Sequence, residues 1–150
     1  MKKIFILLAS TLLILTSCKE NVKSQVNEVN KPNDTELNSA EEYFHRGTTK
    51  YDLEDYKGAI ADYNKAIEID PNLAVAYINR GLVKDDLEDY KGAIADYTKA
   101  IEINPNDADA YYNRGISKYF VGDKNGACKD ARKAQELGYD ASEAINLVCN

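Results

Sequence analysis

The stretch Tyr51–Asn72, YDLEDYKGAIADYNKAIEIDPN, returns as DDLEDYKGAIADYTKAIEINPN at Asp85–Asn106, displaced by 34 residues and identical at 19 of 22 positions. A fixed period the size of one supersecondary unit predicts a stack of such units, each in contact with its neighbours, in place of one core built from distant contacts. Carried outward, the same frame gives units at residues 40–73, 74–107 and 108–141. Tyr43, Tyr77 and Tyr111 fall at one slot, Gly47, Gly81 and Gly115 at another, Ala59, Ala93 and Ala127 at a third, and Ala66, Ala100 and Ala134 at a fourth. Pro71 and Pro105 close the first two units, where proline cannot continue a preceding helix.

Small residues at recurring positions let two antiparallel helices approach closely, and the tyrosines fill the space between them. The spacing predicts helices near 40–53, 56–69, 74–87, 90–103, 108–121 and 124–137, with Ser39-Ala-Glu-Glu42 in the form of a capping box at the first start. The fold class is therefore all-α. Unit three departs from the others: Ala131 stands in the tyrosine slot, and Gly138-Tyr139 stands where proline is expected. Residues 142–150 follow as a short amphipathic capping helix, as the end of a repeat stack requires.

The pattern of aromatic, Gly, Ala, aromatic and Pro, seen in unit two as Tyr77, Gly81, Ala93, Tyr97 and Pro105, resembles the tetratricopeptide repeat. That resemblance implies a three-unit helix-turn-helix solenoid. Two slots differ from the family pattern: Arg46, Arg80 and Arg114 occupy its leucine position, and Lys50, Lys84 and Lys118 its next tyrosine position. Asp62, Asp96 and Asp130 recur at a fixed offset on the second helices, so a ladder of structural Arg–Asp pairs is expected. The alternative is that the arginine stems lie over the core and their heads reach water.

The N-terminus is of a different kind. Met1-Lys2-Lys3, an apolar run from Ile4 to Leu15, and Leu15-Thr16-Ser17-Cys18 form a secretory signal peptide over residues 1–17. The last quartet resembles the lipobox of bacterial lipoproteins, which implies acylation (palmitate and related chains) of Cys18 and membrane anchorage in the cell envelope. An ordinary cleaved signal containing a cysteine is the alternative. Lys19 and Glu20 following the cysteine favour the outer membrane and leave its face open. Residues 18–39 then form the lipidated cysteine and a polar tether, reaching on the order of 25 Å. Loss of Lys2 and Lys3 takes the formal net charge from −6 to −8, which disfavours nucleic acid and anionic lipid as partners.

Cys128 and Cys149 fall at inward slots of the repeat frame, outside the cytoplasm, so a disulfide pinning the cap to the last repeat is expected, with two buried thiols as the alternative. No catalytic, metal-binding or cofactor-binding set is expected. The one histidine, His45, occupies a slot filled by Asn79 and Asn113 elsewhere, and the acidic runs at 52–55 and 85–89 lack the spaced ligands of a calcium loop.

Binding is the remaining mode, in the form of a scaffold or adaptor. By the resemblance, the first helices line a concave protein-binding groove formed by Phe44, Thr48, Tyr51, Ile78, Asn79, Leu82, Tyr112, Asn113, Ile116, Tyr119 and Phe120. Glu41, Asp52, Asp85, Asp86 and Asp109 border it. Of the positions that form the family's carboxylate clamp only Asn79 fits, and Asp109 would repel a carboxylate, so a protein segment with apolar anchors and basic residues is the expected partner. The competing expectation is that these side chains pack the core or another copy of the chain, making it a self-associating envelope component.

Overall fold

The computed structural model describes residues 39–149. The expected signal peptide, the expected acylation site Cys18 and the expected tether as far as Asn38 lie outside the described residues. Seven helices are described: α1 (Ala40–Asp52), α2 (Tyr56–Ile69), α3 (Ala74–Asp86), α4 (Tyr90–Ile103), α5 (Ala108–Phe120), α6 (Lys124–Glu136) and α7 (Ser142–Val148). No strand occurs among the described residues. Each helix packs on its neighbours in sequence, and the first helices of successive units, α1 with α3 and α3 with α5, also touch. This is the three-unit helix-turn-helix stack that the period requires.

Five of the seven described helices start at a short polar residue, while α3 and α7 follow Leu73 and Ala141 with no side-chain cap. Ser39 and Glu42 form the capping box, each side chain accepting from the other's backbone N–H at 3.1 Å. Asp55, Asp89 and Asp123 cap α2, α4 and α6 by accepting from the N–H of Gly58, Gly92 and Gly126, and Asp107 caps α5 through Ala110. Each carboxylate also faces the positive end of the helix dipole. Helices α1, α3, α5 and α6 end one residue before the expected boundary. At the α1 end Glu54 takes φ 60°, and Asp55 N–H returns to Lys50 C=O at 2.8 Å, closing a left-handed cap. Glu88 repeats it at φ 60°, and Gly122 holds the third copy at φ 85°.

The core lies between the two helices of each unit and between units. Ala59, Ala93 and Ala127 and, two turns further on, Ala66, Ala100 and Ala134 are buried, so the backbones approach closely. Tyr63 and Tyr97 are wholly buried, each packed against a glycine. A Cβ at Gly47 would sit 2.8 Å from the Tyr63 ring, and one at Gly81 2.7 Å from Tyr97. In unit three Ala131 leaves that space, and a Cβ at Gly115 would meet the Ala127 carbonyl and the Asp130 Cβ at 3.3 Å and the Ala131 nitrogen at 3.5 Å.

The end of the stack is closed by α7, which sets Ala141, Ala144 and Val148 against Ala127, Ala131 and Ala134. Cys128 on α6 is bonded to Cys149, which caps α7. The capping helix, Ser142–Val148, is shorter than the 142–150 segment expected, with Cys149 as its C-cap.

Candidate protein-interaction surface

The six cations of the first helices all turn toward the second helices. Arg46 grips Asp62 through Nε at 2.7 Å and Nη2 at 2.5 Å; Arg80 holds Asp96 at 2.9 and 2.6 Å, and Arg114 holds Asp130 at 2.8 Å through both nitrogens. The Asp62, Asp96 and Asp130 side chains are only 3–7 % exposed, so the arginine heads do not stand in water as the alternative reading required. Lys50, Lys84 and Lys118 complete each site with an ammonium 2.7–2.9 Å from the same carboxylate. This second cation was missed, although the Lys-to-Asp offset of 12 residues recurs in every unit and was available as a signal.

Each guanidinium also lies 5.2–5.4 Å from the ring centre of Tyr43, Tyr77 or Tyr111, three residues earlier on its own helix. Arg80 and Arg114 reach back to Asn64 and Thr98 of the preceding unit, so the ladder ties units together as well as helices. Burial would raise the Asp62 carboxyl, but the bonds and charges of Arg46 and Lys50 outweigh it and hold the group below its ordinary range.

The residues expected to line the groove divide into several kinds. Phe44 packs on the Tyr63 cluster with its ring 5.9 Å from Tyr63, and Ile78 packs beside Ala100 and Ile101. Thr48 accepts from the Tyr63 hydroxyl, while Leu82, Asn79 and Asn113 remain half-buried. Tyr112, Ile116 and Tyr119 pack on the terminal cluster, and Tyr112 stacks on Tyr139 at 4.2 Å, so the connection after α6 partly covers a residue expected to anchor a ligand. Phe120 stacks on Tyr90 at 4.6 Å yet stays 57 % exposed. The arrangement supports a surface on α1 and α3 more strongly than one reaching across Tyr112.

The acidic border also needs correction at one residue. Asp85 does not face outward: it accepts from Ser117 Oγ at 2.8 Å on α5 and from Tyr97 OH at 2.8 Å on α4. Ser117 is wholly buried. Desolvation raises the Asp85 pKa, against the lowering effect of the Ser117 and Tyr97 hydrogen bonds, and the nearby charges of Asp86 and Asp89 add to the rise. Burial and then the bond to Asp85 push Tyr97 far above its ordinary value. Tyr51 donates to Asp86 at 2.6 Å, with the same direction of shift from the same two causes. Glu41, Asp52, Asp86 and Asp109 remain exposed.

Among the described residues no group of three or more His, Cys, Asp or Glu is placed to hold a metal ion, and no helix is long and apolar enough to cross a membrane. What the site offers is a face of half-exposed apolar side chains beside carboxylates, with the first-helix lysines and arginines already paired.

The family pattern described as TPR repeat matches residues 47–84 and 86–122, half of the chain. Among solved structures, the TPR2B domain of yeast Sti1 in its pHsp70 complex is 28% identical at a TM-score of 0.68, over 73% of this chain and 93% of that one. The second TPR domain of human RPAP3, in complex with the HSP70 peptide SGPTIEEVD, is 25% identical at 0.70, over 74% and 95%. MamA is 30% identical at 0.66, over 70% of this chain and 61% of that one. No curated protein matches the sequence. These likenesses indicate a protein-interaction scaffold and no catalytic family.

Proposed function

The chain belongs to the tetratricopeptide-repeat family, and from that premise we propose that it is an adaptor of the bacterial envelope, anchored through an acylated Cys18, that holds a partner protein by a segment combining apolar and basic side chains. The anchor rests on the charged start, apolar run and Leu-Thr-Ser-Cys of residues 1–18, with the polar tether providing reach.

The groove reading rests on one observation. Every lysine and arginine of α1, α3 and α5 is held by Asp62, Asp96 or Asp130. The charges left for a ligand on these helices are the carboxylates Glu41, Asp52, Asp86 and Asp109, beside Phe44, Ile78 and Leu82. Relatives solved with peptides ending in EEVD present a site to an acidic chain terminus. Here the sign is reversed, and a carboxylate would meet like charge without a donor to neutralise it.

The test is calorimetric titration of the folded region with two peptides, SGPTIEEVD and a Lys/Leu amphipathic peptide of equal length. The basic peptide should bind with an affinity that falls as salt rises, and Glu41→Lys with Asp109→Lys should weaken it at least tenfold. Equal or tighter binding of SGPTIEEVD would sink the assignment of partner charge.

A further inference from the structure

A second apolar surface lies away from the groove, on the turns that join the two helices of each unit. Leu53 is 75 % exposed, Leu87 48 % and Val121 39 %, three side chains at one repeat position, and Phe120 adds 57 % beside the last. Consecutive turns are held next to one another: Tyr51 at the end of α1 bonds Asp86 at the end of α3, and the Phe120 ring stacks on Tyr90 at the start of α4. The four side chains therefore form a row along one edge of the stack, not isolated exposed leucines. A row of this kind calls for an occupant.

Charge selects the occupant. Around the row, residues 52–57, 86–91 and 120–125 carry seven carboxylates against three lysines, Lys57, Lys91 and Lys124. A second copy of this chain meeting the edge edge-on would set like charges opposite one another, and an anionic lipid surface would be repelled in the same way. A basic amphipathic segment satisfies both the apolar row and its rim.

The backbone is consistent with this. Glu54 and Glu88 occupy left-handed positions at φ 60°, which cost an L-residue energy, while the third turn uses Gly122 at φ 85°. Glycine would relieve the first two turns, so the glutamates place carboxylates at the tips of the edge at the expense of turn stability.

We propose that this turn edge is a second docking surface, taking an amphipathic partner segment whose apolar side chains cover Leu53, Leu87, Val121 and Phe120 and whose lysines or arginines meet Glu54, Glu88 and Asp52. It shares Asp52 and Asp86 with the acidic border of the groove but none of the groove's apolar side chains Phe44, Ile78 and Leu82, so the apolar residues that respond tell the two apart. The probe is the Lys/Leu amphipathic peptide, titrated into isotope-labelled protein with backbone and methyl NMR shifts followed. Binding at the edge predicts saturable shifts centred on Leu53, Leu87 and Val121. Leu53→Ser with Leu87→Ser should weaken that phase at least tenfold, and these side chains are exposed enough that the fold should survive. Glu54→Gly with Glu88→Gly should weaken it as well while raising the urea midpoint, an opposite pair of effects that a purely structural role cannot give. Shifts confined to Phe44, Ile78 and Leu82 overturn the edge and leave the groove standing. Concentration-dependent shifts at Leu53 and Leu87 without peptide point to self-association and overturn it too, as does unchanged affinity in the leucine double variant.

Discussion

Replacing Asp96 by alanine should be among the most damaging single changes available to the second repeat. Its side chain is 5 % exposed and receives Arg80 through two nitrogens and Lys84 through a third at 2.8 Å. Truncation leaves two cations facing a small cavity. Breaking a fully buried pair costs about 3–5 kcal/mol, but Arg80 and Lys84 retain 17 and 21 % exposure and can turn partly to water. The loss should therefore fall near the lower end, about 3 kcal/mol.

Urea unfolding followed by circular dichroism measures it. With an m-value of about 1.5 kcal/mol/M, the midpoint should drop by about 2 M with m unchanged. The cycle with Arg80→Leu, which installs the residue of the family pattern, isolates the pair. The double variant should recover about 1–2 kcal/mol relative to the sum of the singles, since an apolar side chain no longer needs a counter-ion. A loss below about 0.5 kcal/mol for Asp96→Ala, or strict additivity in the cycle, would refute the view that the ladder is an energetically coupled part of the core.

The glycine slots offer a matched comparison. Gly81→Ala brings a Cβ within 2.7 Å of the wholly buried Tyr97 ring and should destabilise by about 1–3 kcal/mol despite better helix propensity. Gly115→Ala, facing Ala131 at the equivalent place, should be within about 1 kcal/mol of neutral, and equal midpoint shifts for the two would contradict the packing argument. Asp85 gives a pH signature: its carboxyl is raised on folding, so the folded state binds the extra proton and stability rises as pH falls through the folded pKa toward the unfolded value near 3.8. Asp62, held low, works in the opposite sense, and its contribution is lost only as pH drops below that value. Urea midpoints for Asp85→Asn should lack the gain on mild acidification, and parallel profiles for variant and parent would refute the burial of that charge.

The fold was legible because every contact that defines it is either within a helix or between segments one period apart. A 34-residue repeat with glycine, alanine and tyrosine at fixed slots specifies which faces meet, and the Arg–Asp ladder could be read from a 16-residue offset that recurs three times. The ends of the six repeat helices were legible to within a residue; the left-handed caps at Glu54 and Glu88 moved two of them, and glutamate carries no turn signal of its own. The site was less legible. Asp85 sits in a slot held by Tyr51 and Tyr119 in the other units, and only the crossing of α3, α4 and α5 brings Ser117 and Tyr97 to it.

The sequence alone determined the repeat unit, the number of units and the recurring Arg–Asp offset, because those follow from local periodicity that survives any arrangement of the stack. Tertiary structure decided which of the remaining first-helix side chains stay available. Tyr112 is partly covered by Tyr139 because the connection after α6 passes beside α5, and Leu53, Leu87 and Val121 come into one row because each successive unit sets its turn beside the last. Those outcomes depend on how neighbouring units stack and on where the chain end returns, which a period along the sequence does not encode.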